Sequence, residues 1–182
     1  MDEKRLVRSS KMLSRVLRHE PALVGVTPDG AGWVRVDELL AGLAARGRPL
    51  TRAELDHIVA TDDKRRFGYS PDGLSIRANQ GHTVAVDLGL AAAVPPPVLY
   101  HGTADRHLAA IFREGLLPMA RRDVHLSADT ETATRVGGRH GRPVVLTVHA
   151  AAMAVAGHEF RLSENGVWLT DAVPPRYLSR RS

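Results

Sequence analysis

Apolar positions recurring three and four residues apart open the chain. Leu6, Leu13 and Leu17, joined by Met12 and Val16, share one face of a helix expected over residues 3–17. Lys4, Arg8, Lys11, Arg15 and Arg18 alternate at spacings of four and three and make a basic stripe on another face. Pro21 ends the helix, because the residue before a proline disfavours helical geometry. A short strand is expected over Trp33 to Val36, then a helix from Asp37 to about Ala45, ended near Gly47. Thr51 with Glu54 three residues on is a capping-box pattern, opening a helix that reaches about Ala60. Arg66 to Ser70 and Leu74 to Asn79 read as strands around the turn Pro71-Asp72-Gly73. Helix, strand, helix, helix, hairpin is the order of a winged helix.

Val94-Pro95-Pro96-Pro97 is the clearest break, since consecutive prolines neither continue a helix nor donate to a sheet. It divides the chain into expected lobes 1–93 and 98–182, with 94–97 as linker. The second lobe carries short β-like runs: Val98 to His101, Val124 to Leu126, Val144 to His149, Phe160 to Leu162 and Val167 to Thr170. Helices are expected over Asp105 to Glu114, with Gly115 at the C-cap, and Asp129 to Val136. The whole reads as α+β, the second lobe built on a mostly antiparallel sheet.

Composition adds two constraints. The 182 residues carry a formal net charge of +5, and the only lysines are Lys4, Lys11 and Lys64. An arginine-rich basic chain suits an anionic partner, because a guanidinium grips phosphate oxygens with two donors. The absence of cysteine excludes disulfides, thiolate nucleophiles and cysteine zinc sites. The nine histidines are scattered without a His-x-x-x-His pair beside a carboxylate, so no metal is expected. The charged start and the lack of a long apolar window lead to the expectation of a cytoplasmic protein with no membrane partner, and a monomer is expected.

Several polar segments carry candidate chemistry. Arg18 and His19 end the first helix within Leu17-Arg18-His19-Glu20-Pro21. Lys64, Arg65 and Arg66 lead into a strand; if Phe67 faces the core, alternation puts Arg65 and Arg66 on different faces. Arg77, Asn79, Gln80 and His82 lie in the segment that ends the hairpin and turns at Gly81, and with Arg15 and Arg65 they are candidates for RNA contact. His101-Gly102-Thr103 is expected at a strand-to-helix turn, where Gly102 would let backbone approach a ligand. Arg121 and Arg122 precede a strand bearing His125 and Ser127. Gly137, Gly138, Arg139, His140 and Gly141 form a glycine-rich stretch able to offer N–H groups to a pyrophosphate, but they lack the Rossmann and Walker patterns. Asn165-Gly166 is turn chemistry before Val167. Each segment alone reads as solvated surface, turn or core before it reads as a site.

Their order along the chain resembles the tRNA 2′-phosphotransferase family. The likeness runs through Leu-Arg-His-x-Pro, Lys-x-Arg-Phe, Ile-Arg-Ala-x-Gln-Gly-His, His-Gly-Thr, Met-x-Arg-x-x-Val-His-Leu-Ser and Asn-Gly-Val-Trp-Leu-Thr, nearly the whole chain. It implies an N-terminal winged-helix lobe and a C-terminal ADP-ribosyltransferase lobe. It implies transfer of an internal RNA 2′-phosphate to NAD⁺, as in the last step of a fungal tRNA splicing pathway, through a 2′-phospho-ADP-ribosylated intermediate. The products are nicotinamide, RNA with a free 2′-hydroxyl and ADP-ribose 1″,2″-cyclic phosphate. It places Arg18, His19, Arg66 and Arg121 in the catalytic set, with Arg65 and Arg122 in reserve. It implies NAD⁺ contacts from His101, Gly102, Thr103, His125, Ser127, Gly137 and Arg139, and Val167 where many ADP-ribosyltransferases carry a glutamate. The family often has a histidine where this chain has Asp123, which is expected to point away from the phosphate. Two other functions share these features: an ADP-ribosyltransferase acting on terminal phosphates of RNA or DNA, and a non-catalytic RNA-binding module.

Overall fold

The computed structural model describes residues 2–139 and 141–181. It divides into two compact units, Met1–Gly89 and Leu90–Ser182.

The first unit begins with α1 (Glu3–Arg18), capped by the Asp2 carboxylate, which accepts from the Arg5 N–H at 2.7 Å. Its apolar face buries Leu13, Val16 and Leu17. A 3₁₀ turn (Pro21–Val24) closes against it, followed by β1 (Val34–Arg35), α2 (Val36–Ala45) and α3 (Arg52–Ala60). The capping box of α3 is complete: Thr51 Oγ1 accepts from Glu54 N at 3.1 Å, and the Glu54 carboxylate accepts from Thr51 N at 2.9 Å. The hairpin strands β2 (Phe67–Tyr69) and β3 (Ser75–Ala78) join β1 in an antiparallel sheet of order β1-β3-β2. Phe67 sits inside the core, Arg66 is half-buried and Arg65 exposed; strand alternation does not extend to Arg65 and Arg66, which precede β2, and it is the left-handed turn at Arg65 that separates them.

In the second unit, β4 (Leu99–Ala104) is followed by a 3₁₀ turn and α4 (Leu108–Glu114), then β5 (Val124–Leu126) and α5 (Thr130–Gly137). After these come β6 (Pro143–Val148), α6 (Ala150–Val155), β7 (Arg161–Leu162), β8 (Trp168–Thr170) and β9 (Leu178–Arg180). Two antiparallel sheets, β4-β6-β9 and β5-β8-β7, are joined where Tyr100 and Ser127 exchange backbone hydrogen bonds of 2.9 and 2.8 Å. Helices and antiparallel sheets in both units make the chain α+β.

Three expectations are corrected. His101-Gly102-Thr103 is not a strand-to-helix turn. The ladder with β6 carries β4 on to Ala104, paired with Pro143. Gly137 is the last residue of α5 rather than loop, and His140 of the same stretch lies outside the described residues. The units divide at Gly89, ahead of the prolines, because Ala93 already donates to Phe160 O at 2.7 Å and Pro95 is buried in the second unit.

Candidate active-site residues

In the first unit, the helix end prepares two of the candidates. His19 caps α1, its N–H donating to Arg15 O at 2.9 Å. The Arg18 carbonyl is then free of the helix and accepts from Thr83 N at 2.9 Å. The Thr83 hydroxyl lies 3.1 Å from His19 Nδ1 and 3.4 Å from Arg18 O. A hydroxyl has one proton; donating it to Arg18 O leaves its oxygen to accept Nδ1–H, which makes Nε2 the acceptor nitrogen of a neutral ring. Nothing in the sequence reading singled out Thr83. Its only signal was its place directly after His82 in the polar segment.

Arg66 is held by Asp62. The guanidinium is paired with the Asp62 carboxylate, which also accepts from Arg66 N at 2.6 Å and whose side chain is only 5% exposed. Asn79 pins the same loop, donating from Nδ2 to Arg65 O at 2.7 Å and from its backbone to Arg66 O at 2.8 Å. Arg65 itself has φ of 41°, a left-handed backbone that this clamp holds in place. The segment from Asn79 to Thr83 therefore bonds Arg66 at one end and Arg18 at the other. Four residue steps reach at most about 14 Å, so the two arginine backbones lie in one neighbourhood.

The remaining RNA-contact candidates divide. Arg77 is buried, stacked 4.3 Å from the Trp33 ring, and donates to Ala31 O and Leu88 O at 3.3 Å. His82 is buried and Gln80 partly so. Arg15 is exposed and makes a bidentate pair with Glu20 at 3.0 and 2.7 Å, which holds its pKa up.

In the second unit, His101, Arg121 and His125 come together. His101 Nδ1 donates to His125 O at 3.1 Å, so Nε2 is its acceptor nitrogen. Burial, with a smaller contribution from the Arg121 charge, lowers the His101 pKa, so the ring is neutral at pH 7. Arg121 Nη1 donates to His125 Nδ1 at 2.9 Å. Surrounding protein and then the nearby Arg139 guanidinium lower the Arg121 pKa. It stays charged, and the neighbouring like charge favours an anion there. Ser127 is half-buried at the β4–β5 junction. Arg122 is exposed. Asp123 accepts from Arg161 Nη2 at 3.1 Å, and Arg161 also pairs with Asp171 and Glu159, so one guanidinium is shared among three carboxylates.

Gly102 does another task than the sequence suggested. A Cβ there would lie 1.7 Å from Ala133 O of α5, and a Cβ at Gly137 would lie 2.7 Å from Thr103 O. The two glycines let α5 press against β4, and Thr103 is buried beside them. Val167 exchanges backbone and hydroxyl hydrogen bonds with Ser163 at the start of β8.

Residues 4–172 match the RNA 2′-phosphotransferase, Tpt1 / KptA family. The chain belongs to this family. A Streptomyces coelicolor protein named "Probable RNA 2′-phosphotransferase" is 62% identical over 178 residues, covering 98% of this chain and 97% of its own length. Relatives of the same name from Streptomyces griseus (61%, covering all of both chains) and Herpetosiphon aurantiacus (53%, 98% of each) are similar throughout. The family is one of transferases, so the chain is an enzyme. Among the described residues no group of His, Asp or Glu is arranged to hold a metal ion, and no helix is long and apolar enough to cross a membrane.

Proposed function

We propose that the enzyme transfers an internal RNA 2′-phosphate to NAD⁺, which is consumed as co-substrate. The first unit serves as a winged-helix RNA lobe and the second as an ADP-ribosyltransferase-type lobe, in a cytoplasmic monomer. The observation that carries the reading is the second-unit cluster: a neutral His101 fixed by its Nδ1 bond, beside Arg121 oriented by His125 and reinforced by Arg139. A fixed imidazole suits a ribose hydroxyl or amide, and paired guanidinium groups suit phosphate oxygens.

In the first step a 2′-phosphate oxygen bonds to C1″ of the nicotinamide ribose, and nicotinamide departs with the bonding pair. In the second, the 2″-oxygen bonds to phosphorus and loses its proton. The RNA 2′-oxygen leaves with the P–O pair and gains a proton. Arg18, Arg66 and Arg121 stabilise the charge on the phosphoryl oxygens, and His19 Nε2 takes the 2″-hydroxyl proton. The phosphate is already anionic, so Val167 in place of a catalytic glutamate costs the first step little. NAD⁺ contacts fall to His101, His125, Ser127 and Arg139; Arg65 and Gln80 flank the RNA.

The test is NAD⁺ dependence: 2′-phosphorylated RNA is incubated with and without NAD⁺, and nicotinamide release is measured. Stoichiometric release with loss of the 2′-phosphate is expected. Phosphate loss without NAD⁺, or nicotinamide release leaving a stable ADP-ribosylated RNA end, contradicts the reading.

A further inference from the structure

The first unit holds a second group of cations that the reaction does not use. Arg8 precedes Arg18 by about 15 Å of helix rise. A cavity of about 310 Å³ lies between the first half of α1 and the turn joining α2 to α3. Its rim carries Arg5, Arg8 and Arg48, all exposed, and its floor Met12, Leu43 and Leu50.

Arg5 is anchored, donating to Pro49 O at 3.3 Å and pairing with Glu54 at 2.9 Å. Neither the Arg8 nor the Arg48 side chain forms a hydrogen bond or ion pair with another described residue. Helix-end compensation does not require Arg48, because the last carbonyls of α2 are already met by backbone: Arg48 N reaches Leu43 O at 2.9 Å and Gly47 N reaches Ala44 O at 3.0 Å. Three guanidinium groups therefore face one carboxylate over an apolar floor.

We infer that this cavity is an accessory site for one nucleotide of the RNA strand, remote from the 2′-phosphate: Arg8 and Arg48 take the phosphodiester, and the base or ribose covers Met12 and Leu50. The inference rests on RNA being the substrate. The volume is at the low end for a ligand pocket and suits a group of that size. Arginine over an apolar surface is the chemistry that holds a base and its phosphate together.

The test is fluorescence anisotropy of the full-length protein with a single-stranded RNA 20-mer lacking any 2′-phosphate, across a KCl series and without NAD⁺. For Arg8→Ala/Arg48→Ala, affinity near 0.1 M salt should fall roughly 10- to 25-fold and the log–log salt slope should flatten by about 1.4, about 0.7 per lost phosphate contact. Arg8→Lys/Arg48→Lys should keep the slope. Arg113→Ala/Arg176→Ala in the second unit should change both far less. Slope and affinity equal to the parent's in the folded double alanine variant overturn the site. Poly-glutamate binding as tightly as RNA, and losing affinity in the same variant, overturns RNA as its occupant. Because neither 2′-phosphate nor NAD⁺ is present, the transfer reaction can fail without touching this result.

Discussion

Arg121 donates through Nη1 to Nδ1 of His125 at 2.9 Å, which fixes the direction of the guanidinium and the tautomer of the imidazole together. The same residue's carbonyl fixes His101 through its Nδ1. One strand residue thus orients the Arg121 guanidinium with its side chain and the His101 imidazole with its backbone.

Arg121→Ala should lower single-turnover phosphate removal by about 10²- to 10³-fold, the cost of losing one preorganised donor. Arg121→Lys should recover little, because an ammonium cannot reproduce the fork held by His125. His125→Ala should fall between Arg121→Ala and the parent, since the guanidinium remains but is no longer aimed. Full activity in Arg121→Lys contradicts the orientation account.

Thr83→Val removes the hydroxyl between His19 Nδ1 and Arg18 O at nearly constant volume. Loss of that hydrogen bond, worth about 1 kcal/mol, predicts a decrease in turnover of roughly 5- to 10-fold. The acid limb of the pH–rate profile should also shift, and Thr83→Ser should restore both. A valine variant with parental rate and profile removes Thr83 from the mechanism.

His101 predicts a pH dependence of stability. Its folded pKa lies below the ordinary 6.5, so on acidification the unfolded chain takes a proton that the folded protein resists. More protons bound in the unfolded state means that stability falls as pH drops below about 6.5 and is restored above it. Thermal melts from pH 7.5 to 5 should show this fall, and His101→Gln should flatten it. An equally steep dependence in the variant assigns the effect to other groups.

Gly102→Ala should destabilise the second unit by about 3 kcal/mol or more, because the added methyl meets Ala133 backbone rather than a movable side chain. Denaturant unfolding followed by Trp168 fluorescence reports it. A variant within about 0.5 kcal/mol of the parent would mean that α5 can shift away from β4 at little cost.

What the sequence revealed was local. The face of α1, the capping box at Thr51 and Glu54, and the hairpin turn at Pro71-Asp72-Gly73 depend on residues a few positions apart, and each forms as read. What it hid depends on distant partners. Gly102 reads as a turn until β6, some forty residues on, pairs with it as strand. Arg77 reads as a surface cation until Trp33 lies beneath it. Thr83 gains meaning only beside His19, 64 positions earlier. Leu178-Ser179-Arg180 is too short to announce itself as β9 without Val148 and Leu146 to pair with.

The measurement that bears most directly on the proposed reaction follows the phosphorus. RNA labelled with ³²P at one internal 2′-phosphate is incubated with the enzyme and NAD⁺, and the labelled small-molecule product is identified by mass. The account predicts that all released label appears in ADP-ribose 1″,2″-cyclic phosphate and that the RNA regains a 2′-hydroxyl. Label released as inorganic phosphate, or label that stays on RNA as a stable ADP-ribose adduct, would contradict it.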